Sequence, residues 1–183
     1  MKFSINPQTG WVRQCKHVKS AHFNSRPENT AVSLLVIHCI SLPPGQYGNG
    51  DIEKFFTGHL PLDKHPYYQK IAPLKVSSHF LIMRCGGVTQ FVSTHDRAWH
   101  AGQSSFENID NCNDYSIGIE LEGCETSHYE PEQYHSLIEL SKCLKKHYSA
   151  ISAKRIVGHC DIAPQRKLDP GPYFDWNYYR LSL

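Results

Sequence analysis

Between Gly158 and Pro172 the chain gathers an imidazole (His159), two carboxylates (Asp161, Asp169) and two cations (Arg166, Lys167) in a run stiffened by three prolines. Imidazole and carboxylate are ligands that zinc accepts, and a lysine beside them can stabilise negative charge developing on a metal-activated substrate. The run alone supplies two or three ligands, so a metal site requires another from elsewhere, together with a base. His38 offers one. It ends the apolar, β-branched run Ala31-Val32-Ser33-Leu34-Leu35-Val36-Ile37 and is followed by the turn formers Pro43, Pro44 and Gly45. That pattern reads as a central strand presenting a histidine at its C-terminal mouth, where open sheets place their ligands. His159 likewise follows a short apolar segment, Arg155-Ile156-Val157. Either histidine alone could simply be hydrogen-bonded at the edge of a core. Two at strand ends give a shared ligand role equal standing.

The base is sought on Tyr115-Ser116-Ile117-Gly118-Ile119-Glu120-Leu121-Glu122, which alternates. Tyr115, Ile117, Ile119 and Leu121 share one face, and Ser116, Gly118, Glu120 and Glu122 the other. Two acids beside a glycine suggest a face approached by something other than core; a solvated face is the alternative. Zinc held by His38, His159 and one Asp would keep a fourth position for water, as catalytic zinc does. Glu120 or Glu122 could accept the water's proton, and Lys167 could stabilise the oxyanion at a scissile carbonyl. These are the parts of a zinc amide hydrolase. A thiol mechanism is the rival, because both histidines precede a cysteine, Cys39 and Cys160. Adjacent strand residues point to opposite faces, so those thiols are expected to face away from the site as small buried hydrophobes.

Several elements must position these groups. Residues 1–30 are polar and turn-rich and read as a strand or two and an arm laid on the core. Asp51 to Phe56 reads as a short helix with Asp51 near its N-cap and Gly58 at its end. Residues 77–84 and 88–92, joined through Gly86-Gly87, read as a β-hairpin, and 99–114 as a loop. Pro131 opens the longest helix, with Tyr134, Leu137, Ile138, Leu144 and Tyr148 on one stripe. A last helical segment runs from Asp175 to Leu183. The sum is a single α/β domain.

At 183 residues the chain suits one domain with a full core. The formal charge of +2 gives no argument for a polyanionic partner such as nucleic acid. Histidine is abundant, with 12 copies. The seven cysteines are odd in number and lack a CxxC spacing, unlike a disulfide scaffold. The first residues form no apolar signal region, and no apolar run approaches a membrane span. The expectation is a soluble, reduced, cytoplasmic protein with no membrane or nucleic-acid partner.

Four pieces, in order, carry a resemblance. They are Leu35-Val36-Ile37-His38 with Ser41-Leu42-Pro43-Pro44-Gly45; Arg97-Ala98-Trp99-His100-Ala101-Gly102; Cys112-Asn113-Asp114 through Gly123; and Gly158 through Pro172. Together they resemble the N-acetylmuramoyl-L-alanine amidases, a zinc family sharing its fold with peptidoglycan recognition proteins, and in particular its cytoplasmic 1,6-anhydro-muramyl branch. The resemblance implies an α/β domain over 1–183, with a central mixed β-sheet flanked by helices. It implies one catalytic zinc on His38, His159 and Asp169, with Glu120 as general base and Lys167 on the oxyanion, and so chooses between the paired acids. Trp99, His100 and Lys75 would bind substrate. It further implies a monomer acting on small anhydromuramyl-peptides in cytoplasmic peptidoglycan recycling. Three positions depart from the pattern: Cys39 where Asn is common, and Lys75 and Asn111 where Arg is usual. Lys75 keeps the charge but not the bidentate fork that suits a stem-peptide carboxylate. A binding module of the same fold would not need Glu120, and a structural zinc would want four protein ligands.

Overall fold

The two longest apolar runs become neighbouring strands at the middle of a sheet, which is why both are buried along nearly their whole length. The computed structural model describes residues 3–183. In chain order the elements are β1 (Lys16–His17), β2 (Phe23–Ser25), β3 (Leu34–Ile40), α1 (Asp51–Phe56), α2 (Pro66–Ile71), β4 (Phe80–Ile82) and β5 (Val88–Gln90). Then follow β6 (Asp96–Ala98), β7 (Ser105–Phe106), β8 (Ile109–Asp110), β9 (Ser116–Glu122), α3 (Pro131–His147), β10 (Ile156–Gly158), α4 (His159–Ile162) and α5 (Trp176–Leu181).

Six strands form the main sheet in the order β1-β5-β4-β9-β3-β10. The four strands β4, β9, β3 and β10 run parallel, and the β4–β5 hairpin supplies the antiparallel step, so the sheet is mixed. Two small antiparallel ribbons, β2–β6 and β7–β8, lie outside it. The hairpin strands are shorter than the sequence suggests, because the chain turns between Met83 and Gly87.

Helix α3 begins at Pro131, whose missing N–H costs nothing there. Its stripe Tyr134, Leu137, Ile138 and Leu144 packs on Leu35, Ile37, Ile117, Ile119 and Leu121. Each such side chain removed from water contributes roughly 1.5–3 kcal/mol. Phe3, Val12 and Cys15 join that same core, and only residues 1 and 2 of the expected arm fall outside the described residues. On the other face α1 and α2 cover Leu81 and Phe91.

One expectation needs correction, and one helix was not expected. Tyr115 precedes β9, as the residue ending a 3-10 turn, and packs with Leu34 and Val36 rather than with Ile117. Asp51 lies next to the N-cap of α1 as expected, being its first residue, and Gly50 holds the cap at φ 73. Its carboxylate is buried and accepts from Lys54, Lys64 and the Tyr68 hydroxyl, tying α1 to α2. Helix α2 itself was hidden from a reading of periodicity, since it is a single polar-flanked turn and a half. Its signal was Pro66 at the first position, behind His65, whose ring accepts from Tyr67 N.

Candidate active site

Strand register assembles the site. In the parallel pairs, His38 stands opposite Glu120 and Glu120 opposite Leu81. Gly158 stands opposite Ile37, so the next residue, His159, emerges level with His38. His159 does not continue the strand but opens α4. The chain then turns at Ala163, whose carbonyl accepts from Arg166 N and Lys167 N, and comes back to Cys160, whose N–H donates to the Asp169 carbonyl at 3.0 Å. The Tyr129 hydroxyl holds the next carbonyl, that of Pro170, at 2.7 Å.

Three donor atoms therefore converge. His38 Nδ1 lies 2.9 Å from His159 Nδ1, and each lies 3.1 Å from Asp169 Oδ2. All three residues are buried. His159 Nε2 is 3.0 Å from the Ala101 carbonyl oxygen, which can only accept, so Nε2 carries the proton and Nδ1 offers its lone pair to the centre. Burial holds the His38 imidazole down to about 4, keeping it in the neutral form a metal binds. Burial opposes ionisation of Asp169, but the two histidines beside it outweigh that cost and hold its carboxyl far below the usual range. Two imidazoles and one carboxylate aimed at one point are a donor set for a single zinc with room for a further ligand. The residues fit the metal.

Of the paired acids, Asp161 does not reach this point. It is exposed, and its Oδ2 accepts from Gly158 N at 2.7 Å. Glu122 is not on a solvated face: it is buried and accepts from Gly48 N at 2.6 Å and Arg84 N at 3.2 Å. Glu120 is buried too, yet its Oε2 has no hydrogen-bond partner. Burial first, then the Asp169 carboxylate, push its carboxyl well up, against the opposing pull of Lys167. His38, His159, Asp169, Glu120 and Lys167 all line one cavity of about 500 Å³.

The three expected substrate contacts separate. His100 borders this cavity, but its ring is turned onto His38, with Nδ1 2.9 Å from His38 Nε2. The Trp99 indole instead stacks near His22 and donates to Asn24 Oδ1 at 2.8 Å, and Trp99 does not line the cavity. Lys75 is exposed between two residues that do, Leu74 and Val76. Sequence reasoning missed Ala101, Asn113 and Arg166 as supports. The glycine at 118 was the available sign, since a Cβ there would sit 2.6 Å from the His100 ring.

Cys160 belongs to the first turn of α4, so strand alternation does not orient it. Cys39 does follow the alternation of β3 and packs against the α3 core while also bordering the cavity. Burial raises both thiols, which disfavours the nucleophilic thiolate. Among the described residues no cysteine sulfur is hydrogen-bonded to a histidine. Cys39→Ala and Cys160→Ala are therefore expected to keep turnover within about tenfold, since packing rather than chemistry changes. Complete inactivity of either variant, with fold and metal content unchanged, would revive a thiol mechanism.

The family model for N-acetylmuramoyl-L-alanine amidase matches residues 28–172, a span that includes every residue of this constellation. The chain belongs to that amidase family. Over 176 residues, 96% of each chain, it is 49% identical to the 1,6-anhydro-N-acetylmuramyl-L-alanine amidase AmpD of Haemophilus influenzae. A crystal structure of a selenomethionine derivative of AmpD superposes with a TM-score of 0.94 at 46% identity, covering 98% of both chains. The Escherichia coli amidase AmiD, solved with anhydro-N-acetylmuramic acid-L-Ala-D-γ-Glu-L-Lys, superposes at 0.61 with 31% identity, covering 86% of this chain and 60% of that one. As an N-acetylmuramoyl-L-alanine amidase, the protein must activate water and stabilise a tetrahedral oxyanion beside an amide. No helix among the described residues is long and apolar enough to cross a membrane.

Proposed function

We propose that this amidase uses one zinc, held by His38, His159 and Asp169, to hydrolyse the amide between the lactyl carbonyl of 1,6-anhydro-N-acetylmuramic acid and L-alanine. The observation carrying this is the convergence of His38 Nδ1, His159 Nδ1 and Asp169 Oδ2 in the same cavity as the unpartnered Oε2 of Glu120. The anhydro-sugar and its peptide come from what the AmpD and AmiD relatives act on. The substrate is then a small muropeptide and the setting cytoplasmic peptidoglycan recycling, with the chain acting as a monomer.

Bound zinc would supply Lewis acidity, activating water and polarising the scissile carbonyl. Glu120 Oε2 accepts the attacking water's proton and delivers it to the leaving alanine nitrogen. Its raised affinity for a proton suits both halves of that transfer. The Lys167 ammonium, on the loop between α4 and Asp169, faces the charge developing on the carbonyl oxygen. Cutting the amide frees a muramyl carboxylate and the peptide's amino group.

Mass spectrometry of products from anhydromuramyl-tripeptide, with and without a chelator, tests this. Cleavage should give the free peptide and the anhydro-sugar acid, stop with chelator and return with zinc. Lys167→Ala is expected to keep its zinc while turnover falls about 10²–10³-fold, as when one oxyanion donor is removed. Unimpaired cleavage in the metal-stripped protein would sink the zinc mechanism. Absence of product from zinc-loaded protein that still binds the muropeptide would point to a binding module.

A further inference from the structure

We infer that His100 and Ala101 form a brace that positions the two candidate metal histidines, with Asn113 as the residue that holds the brace in place. The inference rests on the zinc reading of this site and assigns His100 to His38 rather than to substrate. Each histidine presents Nδ1 to the centre and turns its Nε2 toward this one short segment. His38 Nε2 lies 2.9 Å from His100 Nδ1, and His159 Nε2 lies 3.0 Å from the Ala101 carbonyl. Hydrogen bonds of this kind fix the tautomer and the ring angle of a metal-binding histidine.

The proton order is consistent along the whole chain of contacts. For His38 Nδ1 to serve as a ligand, its proton sits on Nε2, so His100 Nδ1 must accept. The proton of His100 then sits on Nε2, where Ser116 Oγ, 3.2 Å away, accepts it. Ser116 and Gly118 lie on the site face of β9, opposite Leu34 and Val36. The ring of His100 fits there only because Gly118 has no Cβ.

The segment is anchored from outside the metal shell. Asn113 Oδ1 accepts from both His100 N at 3.1 Å and Ala101 N at 2.8 Å. Arg166 Nη2 donates to the same Ala101 carbonyl at 2.6 Å and to the Gln103 carbonyl at 2.7 Å. One asparagine side chain thus fixes the partners of both histidines, although it is hydrogen-bonded to neither of them.

The test is zinc affinity of the purified chain, measured by competition with a chromophoric chelator, alongside thermal unfolding of the metal-free protein. His100→Leu should weaken zinc binding about 10–100-fold, the usual effect of losing such a partner. His100→Asn, whose Oδ1 can accept in place of Nδ1, should recover most of that loss. Asn113→Ala should also weaken binding, and Asn113→Asp, which still accepts from both N–H groups, should restore it. A folded His100→Leu with wild-type zinc affinity overturns the inference. If that variant does not fold, equal affinities of Asn113→Ala and wild type overturn it instead. Failure of the zinc reading looks different, because the unmodified chain would then fail to bind zinc at all.

Discussion

Asp169→Ala is expected to empty the metal centre and abolish hydrolysis while leaving a folded protein. Asp169 Oδ2 is the one anionic donor of the three, 3.1 Å from each histidine nitrogen. Without it, two neutral imidazoles remain, and two neutral ligands hold zinc far more weakly than three with a carboxylate. The loss in metal affinity should exceed the 10–100-fold seen for outer partners, reaching roughly 10³-fold or beyond. Metal analysis of the purified variant, calibrated against about one zinc per wild-type chain, gives the readout. Asp161→Ala is the matched control, eight residues earlier, in α4. It removes an exposed side chain that accepts from Gly158 N, so it should cost about 1 kcal/mol of helix capping and no zinc. Zinc retained at full occupancy in Asp169→Ala, or lost in Asp161→Ala, would mean that the third ligand has been misplaced.

Glu120→Gln should stop turnover without disturbing metal or fold. The amide keeps the shape of the acid and cannot accept the water's proton, and losing a general base costs about 10²–10⁴-fold. Its effect on stability runs the other way. The folded protein raises the Glu120 carboxyl well above its unfolded value, by burial and by Asp169. In the metal-free protein that contribution to stability is therefore complete at pH below the unfolded value and is lost as pH rises toward the folded one. Above the unfolded value, folding must either bury that charge or hold the carboxyl protonated, a cost that glutamine lacks, so metal-free Glu120→Gln should melt no lower than wild type. Glu122→Ala should show the opposite pattern. It strips an acceptor from Gly48 N and Arg84 N, at a cost of about 1–3 kcal/mol for the donors left unpaired, with turnover in the surviving folded fraction close to wild type. Kinetics and thermal melts on the two variants decide it. An active Glu120→Gln beside a dead but folded Glu122→Ala would place the base on the wrong acid.

Local pattern was enough for the elements with a strong period. The run ending at His38, the alternation through Glu120 and the stripe of α3 all recur as elements of the core. Strands β3 and β9 are central and buried on both faces, and α3 is buried along one face, which imposes its period of 3.6. It failed where burial is weak or the backbone departs from the pattern. The short α2 has too few turns for a stripe, and Tyr115 leaves the strand phase because the 3-10 turn before β9 rotates it to the other side.

For the candidate site, residue chemistry and strand ends were enough to nominate His38, His159, Lys167 and two pairs of acids. Choosing within each pair lay beyond local geometry. Glu120 and Glu122 share one face of one strand, and Asp161 and Asp169 share one short run of sequence. Parallel register separates the first pair by setting Glu120, not Glu122, level with His38. The return of the chain from Ala163 to Cys160 separates the second by carrying Asp169 back to the centre while Asp161 stays at the surface. The brace at His100 and Ala101 is a matter of tertiary structure alone, since it joins a loop to His38 and His159, each more than fifty residues away, on one side and to Asn113 on the other. Sequence determined which functional groups the chain could offer and at which strand ends, because those follow from side-chain chemistry and hydrophobic period. Tertiary structure decided which of them share a point in space, because register and loop return are set by long-range packing that no local window contains.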